Sequence, residues 1–354
     1  MSKTEKEKKL ETLQRIVTNY DRLTHQKQML PDEHSRYGWH KSFNYLNPSR
    51  WNDSTQIPYV AASSLIDAYS LLPTRPDLAF NSLWAATNSS YNDLYLSQHN
   101  GSSDTLTDSR SIEFSIERIT QRLGHTITLG SLPDETLDSI SIKDMMQQFF
   151  NDAPDKIFHF VASYALKGIA VDMHNKIEKG LGKKEIRKIL IPSTYNTFKS
   201  RFPNIHGNIE RSTGLKYFKL CNIQETTDKT DISYGISPND SKAARALVHA
   251  TGEEIRKAVT SFPATTSSFG PAFGSDKEWL TFLVFAFLYA SRNTAVHGNA
   301  ASRLNSLFAN AETLTASTWN FLFGYLYLSL IMYCQGKIDL DDLAPHSANS
   351  KLLN

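Results

Sequence analysis

The chain has 354 residues, of which 40% are hydrophobic and 21% charged, and its formal net charge is +2 with histidine neutral. That composition excludes a disordered polymer and fits either two domains or one large helical domain. The near-balanced charge excludes a long polybasic arm, while leaving room for a local basic groove. Cys221 and Cys334 lie far apart and form no CxxC pair. Neither a disulfide scaffold nor a thiolate metal site is expected, and a reducing, cytoplasmic compartment is. The opening Met1-Ser2-Lys3-Thr4-Glu5-Lys6 has no apolar core behind its charges, so no secretion signal is expected.

In chain order, residues 5–29 place Leu10, Leu13, Ile16, Val17, Tyr20 and Leu23 among charges at near-helical spacing, which predicts an amphipathic helix ended by Leu30-Pro31. Residues 32–58 show no period and read as irregular surface structure. Helices are expected from Tyr59 to Leu72, and from Asp77 through Trp84, Tyr91 and Tyr95, on either side of the Pro73-Thr74-Arg75-Pro76 turn. The three aromatics suit a packed core better than a base-stacking surface. Residues 100–109 are polar and short-chained and read as a loop. Further helices are expected over 111–123, 142–151 and 155–176. The third carries the apolar run Ile157 to Ala170, with His159 as a hydrogen-bonded core or interface histidine.

Short strands are expected over 126–130 and between 216 and 234, where Tyr217, Phe218, Leu220 and Ile223 could pair. Ser237-Pro238-Asn239-Asp240 opens a helix to about Val259, with Asp240 as its N-cap or first-turn acid. A Thr/Ser/Gly/Pro-rich linker over 262–275 leads into an apolar helix from Trp279 to Ala290. The last long helix covers about Thr315 to Tyr333. Its Trp319–Cys334 stretch contains Asn320, Gly324 and Ser329 and falls short of the ~20 apolar residues that a membrane span needs. The expected division is an N-terminal helical region over 1–130 with a sensing or regulatory role, a helical domain over 131–340, and a peripheral tail over 341–354.

The segment richest in chemistry is Arg292-Asn293-Thr294-Ala295-Val296-His297-Gly298, directly behind the apolar helix. On a helix, Asn293 and His297 are separated by ~40° of rotation and about 6 Å of rise, so they share a face. Histidine exchanges a proton near neutral pH, and arginine matches phosphate oxygens with a planar fork of donors. Asparagine can bond to a phosphate or fix the imidazole, and Gly298 removes a side chain where close access is needed. The same residues also read as a helix C-terminus, where cations favour the dipole and Gly298-Asn299 is a stop signal.

Arg292-Asn293, three residues, then His297-Gly298, between two apolar helices, resembles the motif of the HEPN superfamily. The likeness covers mainly residues 279–334, with a looser helical fit over 155–334. It implies a mainly all-α fold, with a HEPN-like helical bundle on the C-terminal side and an additional N-terminal helical region. It further implies a homodimer with two motifs facing a shared cleft, and a metal-independent endoribonuclease that leaves 2′,3′-cyclic phosphate ends. His297 would be the general base or acid, Arg292 would stabilise charge on the phosphate, and Asn293 would orient the scissile group. Toxin–antitoxin and antiviral settings are common in the family, so an antitoxin or defence-system partner is an expected companion. The alternative is a catalytically inactive helical module that binds RNA or protein.

An RNA substrate needs a positive surface, and Lys176, Lys179, Lys183, Lys184, Arg187 and Lys188 cluster in sequence with only Glu178 and Glu185 opposing them. An ordinary solvated helix face explains the same run equally well. His174, Glu178 and His206 lack the spacing of a compact metal site, and His249 with Glu253 reads as a surface pair. Without a GxxxxGK[ST] loop or a strand–GxGxxG–helix there is no support for nucleotide hydrolysis, and no cofactor or metal is expected.

Overall fold

The computed structural model describes residues 59–99, 106–129, 139–181, 193–225, 230–235, 237–264, 271–296, 304 and 310–351. They are predominantly α-helical. In chain order they form α1 (Tyr59–Ser70), α2 (Pro76–Gln98), α3 (Asp108–Thr120), β1 (Thr126–Thr128), β2 (Ser139–Ser141), α4 (Ile142–Asn151) and α5 (Asp155–Gly180). Next come α6 (Ser193–Arg201), α7 (Pro203–Ile209), a π-helical turn Glu210–Gly214, α8 (Leu215–Leu220), β3 (Cys221–Glu225), β4 (Thr230–Tyr234) and α9 (Pro238–Thr260). After α10 (Asp276–Phe282) the chain runs through π-helical Leu283–Tyr289 into α11 (Ala290–Val296). α12 (Ala311–Cys334), a 3-10 turn Leu340–Leu343 and α13 (Pro345–Lys351) complete the order. The helix expected over 5–29 and the irregular stretch over 32–58 lie outside the described residues.

The chain divides into two compact units, one formed by the described residues up to Pro154 with those from Leu288 onward, the other Asp155–Phe287. This differs from a single break at residue 130. The physical reason is α12, which is buried on nearly every side from Thr313 to Met332 and takes its cover from helices that precede residue 130.

In the first unit, α1 and α12 both pack on α2. Trp84, Tyr91 and Tyr95 are core residues, as their spacing suggested. Some of the polar atoms carried into this core find partners there, as burial favours. Trp319 Nε1 donates to the Phe149 carbonyl at 2.6 Å, and Tyr327 OH lies 2.6 Å from Ser115 Oγ. Because Ser115 Oγ already donates to the Ile112 carbonyl, it accepts from Tyr327. β1 and β2 pair antiparallel with Ile127 opposite Ile140. No helix among the described residues is long and apolar enough to cross a membrane.

The second unit is built on α5 and α9. Gly252 of α9 sits where a Cβ would fall 3.3 Å from the backbone nitrogen of His159, so the two helices meet backbone to backbone. Beside that contact the His159 and His249 rings stack with centroids 4.0 Å apart. On the other side of α5, a Cβ at Gly168 would come 2.0 Å from the Tyr195 ring. Overpacking of that kind costs about 1–3 kcal/mol, which outweighs the ~1 kcal/mol of helix propensity that alanine would return. Residues 216–234 hold one more helical turn than expected: Tyr217, Phe218 and Leu220 belong to α8, and the hairpin begins at Cys221, with Ile223 opposite Ile232. Ser237 caps α9, accepting from the Asn239 and Asp240 amides, and Asp240 is its first-turn acid.

The C-terminal segment, expected to be peripheral, is in part core. Ile338, Leu343, His346, Ser347, Asn349 and Ser350 are all buried. Ser329 Oγ donates to the Tyr325 carbonyl, so its 2.8 Å bond to His346 Nε2 requires the Nε2–H tautomer. His346 Nδ1 is then a bare acceptor, buried without a partner. Burial pushes the imidazole down to about 3, from an ordinary value near 6.5. The folded chain therefore holds this histidine neutral, and its contribution is fully present above the unfolded value and lost as pH falls from 6.5 toward 3. Thermal melts of the wild type should show a midpoint that drops across that window by the equivalent of a few kcal/mol. His346→Gln should start from a lower midpoint at pH 7 and fall less steeply. An unchanged pH slope in the variant would show that another group sets the acid response.

Candidate functional site

The approach to Arg292 is helical but not uniformly α. α10 starts on a strong cap: Ser275 Oγ accepts from the Glu278 amide at 3.2 Å, and Glu278 Oε2 accepts from the Gly274 amide at 2.7 Å. The backbone then widens to a π-helix over Leu283–Tyr289 before α11 resumes at Ala290. Single stretches of π-helix recur at functional sites, because the extra residue per turn re-aims the side chains that follow. Arg292 and Asn293 sit on α11. His297 and Gly298 lie outside the described residues, and so does the face that Asn293 and His297 are expected to share.

Arg292 is held from three directions within the first unit. One Nη1–H donates to Asn293 Oδ1 at 2.8 Å. The guanidinium carbon stands 5.6 Å from the centroid of the Tyr289 ring, which itself packs on Trp84. Nη2 faces Asp108 Oδ2 at 3.7 Å, inside ion-pair range but beyond hydrogen-bond range. The Nε–H is buried and meets no acceptor among the described residues. With the Arg292 side chain 22% exposed and that of Asp108 33%, this pair is worth on the order of 1 kcal/mol or less.

Asp108 is itself braced. It is the first residue of α3, where a carboxylate favours the helix dipole, behind the N-cap Thr107. Its Oδ1 accepts from Tyr91 OH at 3.0 Å and from Asn88 Nδ2 at 3.1 Å. Asn88 Nδ2 also reaches Tyr91 OH at 2.7 Å, and Asn92 Nδ2 donates to Asn88 Oδ1 at 3.0 Å. Burial, and then the nearby Asp108 charge, drive the Tyr91 phenol well above its ordinary value, so Tyr91 is a permanent neutral donor. One carboxylate oxygen is thus fully used by α2, and the other is left toward Arg292.

Sequence reading did not find Asp108, Tyr91 or Asn88 as neighbours of Arg292. Residues 100–109 read as a loop, whereas Thr107 caps a helix that starts at Asp108; the Thr-Asp pair was the one signal for that start. Nothing local in the sequence signals the pairing of α3 with a helix at 290–296. The expected roles of Asn293 on a scissile group or imidazole meet a different fact, since its side-chain oxygen is occupied by Arg292.

The basic run is placed in part. Lys176 pairs with Asp172 at 3.1 Å and with Glu210 at 3.8 Å, and Lys199 reaches the same Asp172 oxygen at 2.7 Å. Burial raises the Asp172 carboxyl, but the hydrogen bonds from Lys199 and Lys176 prevail and hold it below its ordinary value. Lys179 is exposed near the end of α5, whereas Lys183, Lys184, Arg187 and Lys188 lie outside the described residues. His206 is buried, burial keeps its imidazole below the ordinary value, and its Nε2 lies 2.6 Å from Tyr195 OH. Among the described residues no group of three or more His, Cys, Asp or Glu is placed to hold a metal ion. Cys221 and Cys334 are both free thiols, each raised by burial to about 11. No family model, curated protein or solved structure matches the chain.

The brace on Asp108 should register as coupling. Tyr91→Phe removes a hydrogen bond to a charged acceptor and should cost about 1.5–3 kcal/mol in denaturant unfolding. Combined with Asp108→Ala, which removes the acceptor, it should cost at least ~0.5 kcal/mol less than the sum of the two single changes. Strict additivity would show that the Tyr91–Asp108 bond carries no energy.

Proposed function

We propose that this chain is a helical RNA-binding module whose centre is the Arg292 end of α11. The observation that carries this reading is a guanidinium held in place by Asn293 and Tyr289, part-exposed, and not hydrogen-bonded to the nearest carboxylate. A fixed, incompletely neutralised arginine fork suits bidentate capture of a phosphodiester, and it loses less entropy on binding than a free side chain would. The phosphate backbone supplies most of the affinity of such a contact and makes it salt-dependent.

A second reading, a homodimeric metal-independent endoribonuclease of HEPN type, rests on the order Arg292-Asn293-x-x-x-His297-Gly298 behind an apolar helix. It requires His297 beside Arg292 in a cleft shared by two copies, and an antitoxin or defence-system partner would be its natural regulator. The binding reading takes precedence because the described residues account for Arg292 as a held cation.

Single-stranded RNA titrations at several salt concentrations, with unfolding curves as a folding control, separate these readings. Arg292→Ala should weaken binding by about tenfold, equivalent to ~1.4 kcal/mol, and make the dependence of log K on log salt shallower by roughly 0.7. RNA recovered after incubation in EDTA should be intact. Wild-type cuts with 2′,3′-cyclic phosphate ends that vanish in His297→Ala would establish the endoribonuclease instead. If Arg292→Ala folds and binds RNA as well as the wild type, Arg292 is a structural ion-pair partner and the module's ligand is a protein or lies elsewhere.

A further inference from the structure

We propose that Asp108 is a built-in counter-charge that lowers the affinity of Arg292 for phosphate, so that the site holds an extended polyphosphodiester and releases isolated anions. This inference rests on the RNA-binding reading and names what sets the strength of that same site.

The geometry distinguishes a brake from an ordinary salt bridge. In an optimised arginine–carboxylate pair, two parallel N–H···O bonds close to about 2.7–2.9 Å. Between Arg292 and Asp108 the approach stops at 3.7 Å. The carboxylate is kept from closing further because Tyr91 OH and Asn88 Nδ2 both bind its other oxygen, and Asn92 fixes Asn88 in turn. Tyr91 is fully buried on α2, so this anchor cannot follow the carboxylate outward. Arg292 is fixed separately, by Asn293 and by the Tyr289 ring. Two charges are therefore clamped from opposite sides at a separation that attracts without hydrogen bonding.

For an incoming phosphate the consequence is arithmetic. It meets a positive group, at which it can take up the fork, and a fixed negative group within the same few ångströms, which repels it. Charges a few ångströms apart interact even in water and more strongly where the site is partly desolvated, and the attraction and the repulsion are of similar size. One phosphate gains little at such a site. A chain of phosphates that also meets other cations can accept the small local gain, and Arg292 then sets where the chain lies. Asp108 also sits in the first turn of α3, where the helix dipole favours a carboxylate.

The test is binding of a single-stranded oligoribonucleotide and of inorganic phosphate to the full chain, comparing wild type with Asp108→Asn. The amide keeps the shape and the acceptor for Tyr91 while removing the charge. Asp108→Asn should tighten RNA binding by about three- to tenfold and steepen the log K–log salt slope by up to ~0.7, as a more fully available cation would. It should also acquire a phosphate-dependent rise in melting temperature that the wild type shows only weakly. Both gains should vanish in Asp108→Asn/Arg292→Ala. Asp108→Ser, which retains a side chain suited to a helix start, is the second variant should the amide disturb folding, and the same gains are expected of it. Weaker or unchanged RNA binding in both folded variants, with Arg292→Ala still impaired, overturns the brake while leaving the RNA-binding reading in place. If Arg292→Ala has no effect on RNA binding, the reading fails and the brake falls with it.

Discussion

The first unit depends on the burial of α12. A helix with apolar side chains all round cannot rest on a surface and must be enclosed, so α2, α3 and the C-terminal turns gather about it. Enclosure carries polar atoms inward, and three are answered locally: the Trp319 indole by the Phe149 carbonyl, Tyr327 by Ser115, and His346 Nε2 by Ser329. The same packing sets α3 against α2, which puts Asp108 at the hydroxyl of Tyr91 and the amide of Asn88. The setting of the candidate site is thus a by-product of core packing. Its rigid half is fixed by contacts that stabilise the fold in any case.

Helices were the legible part of the sequence. Tyr59–Ser70, Pro76–Gln98, Ile142–Asn151, Asp155–Gly180 and Pro238–Thr260 all fall within a few residues of where apolar spacing, prolines and caps put them. What could not be read was long-range pairing. A residue such as Asp108 carries no mark of its partner, because the contact to Arg292 spans most of the chain and depends on two helix packings together. Local competition explains the other differences. Tyr217, Phe218 and Leu220 look like strand residues, yet the helical turn buries Tyr217, whose hydroxyl meets Tyr234 on the hairpin at 2.7 Å. The segment after Gly336 looks polar, yet its serines and His346 point inward and bond to one another and to α12.

The candidate site was legible as a segment and not as an environment. Arg292 and Asn293 stood out by residue type and by their place after an apolar helix. Their geometry assigns them first to each other, since the asparagine oxygen holds the guanidinium. In the second unit, the buried Tyr195–His206 bond and the Asp172–Lys176–Lys199 ion pairs are internally satisfied, and they read as devices that hold α5, α6 and α7 together. That contrast bears on where function lies. Arg292 is a cation that packing fixes without satisfying: among the described residues its Nε–H has no acceptor, and the Asp108 carboxylate is held at 3.7 Å.

The most direct measurement is a crystal structure of the chain with a short single-stranded oligoribonucleotide at low ionic strength. A phosphate within hydrogen-bond distance of the Arg292 guanidinium, with Asp108 still bound to Tyr91 and Asn88, is the result expected of a held arginine fork beside a fixed counter-charge. RNA seated away from α11, or Arg292 closed onto Asp108 in a bidentate pair with no phosphate near it, would contradict it.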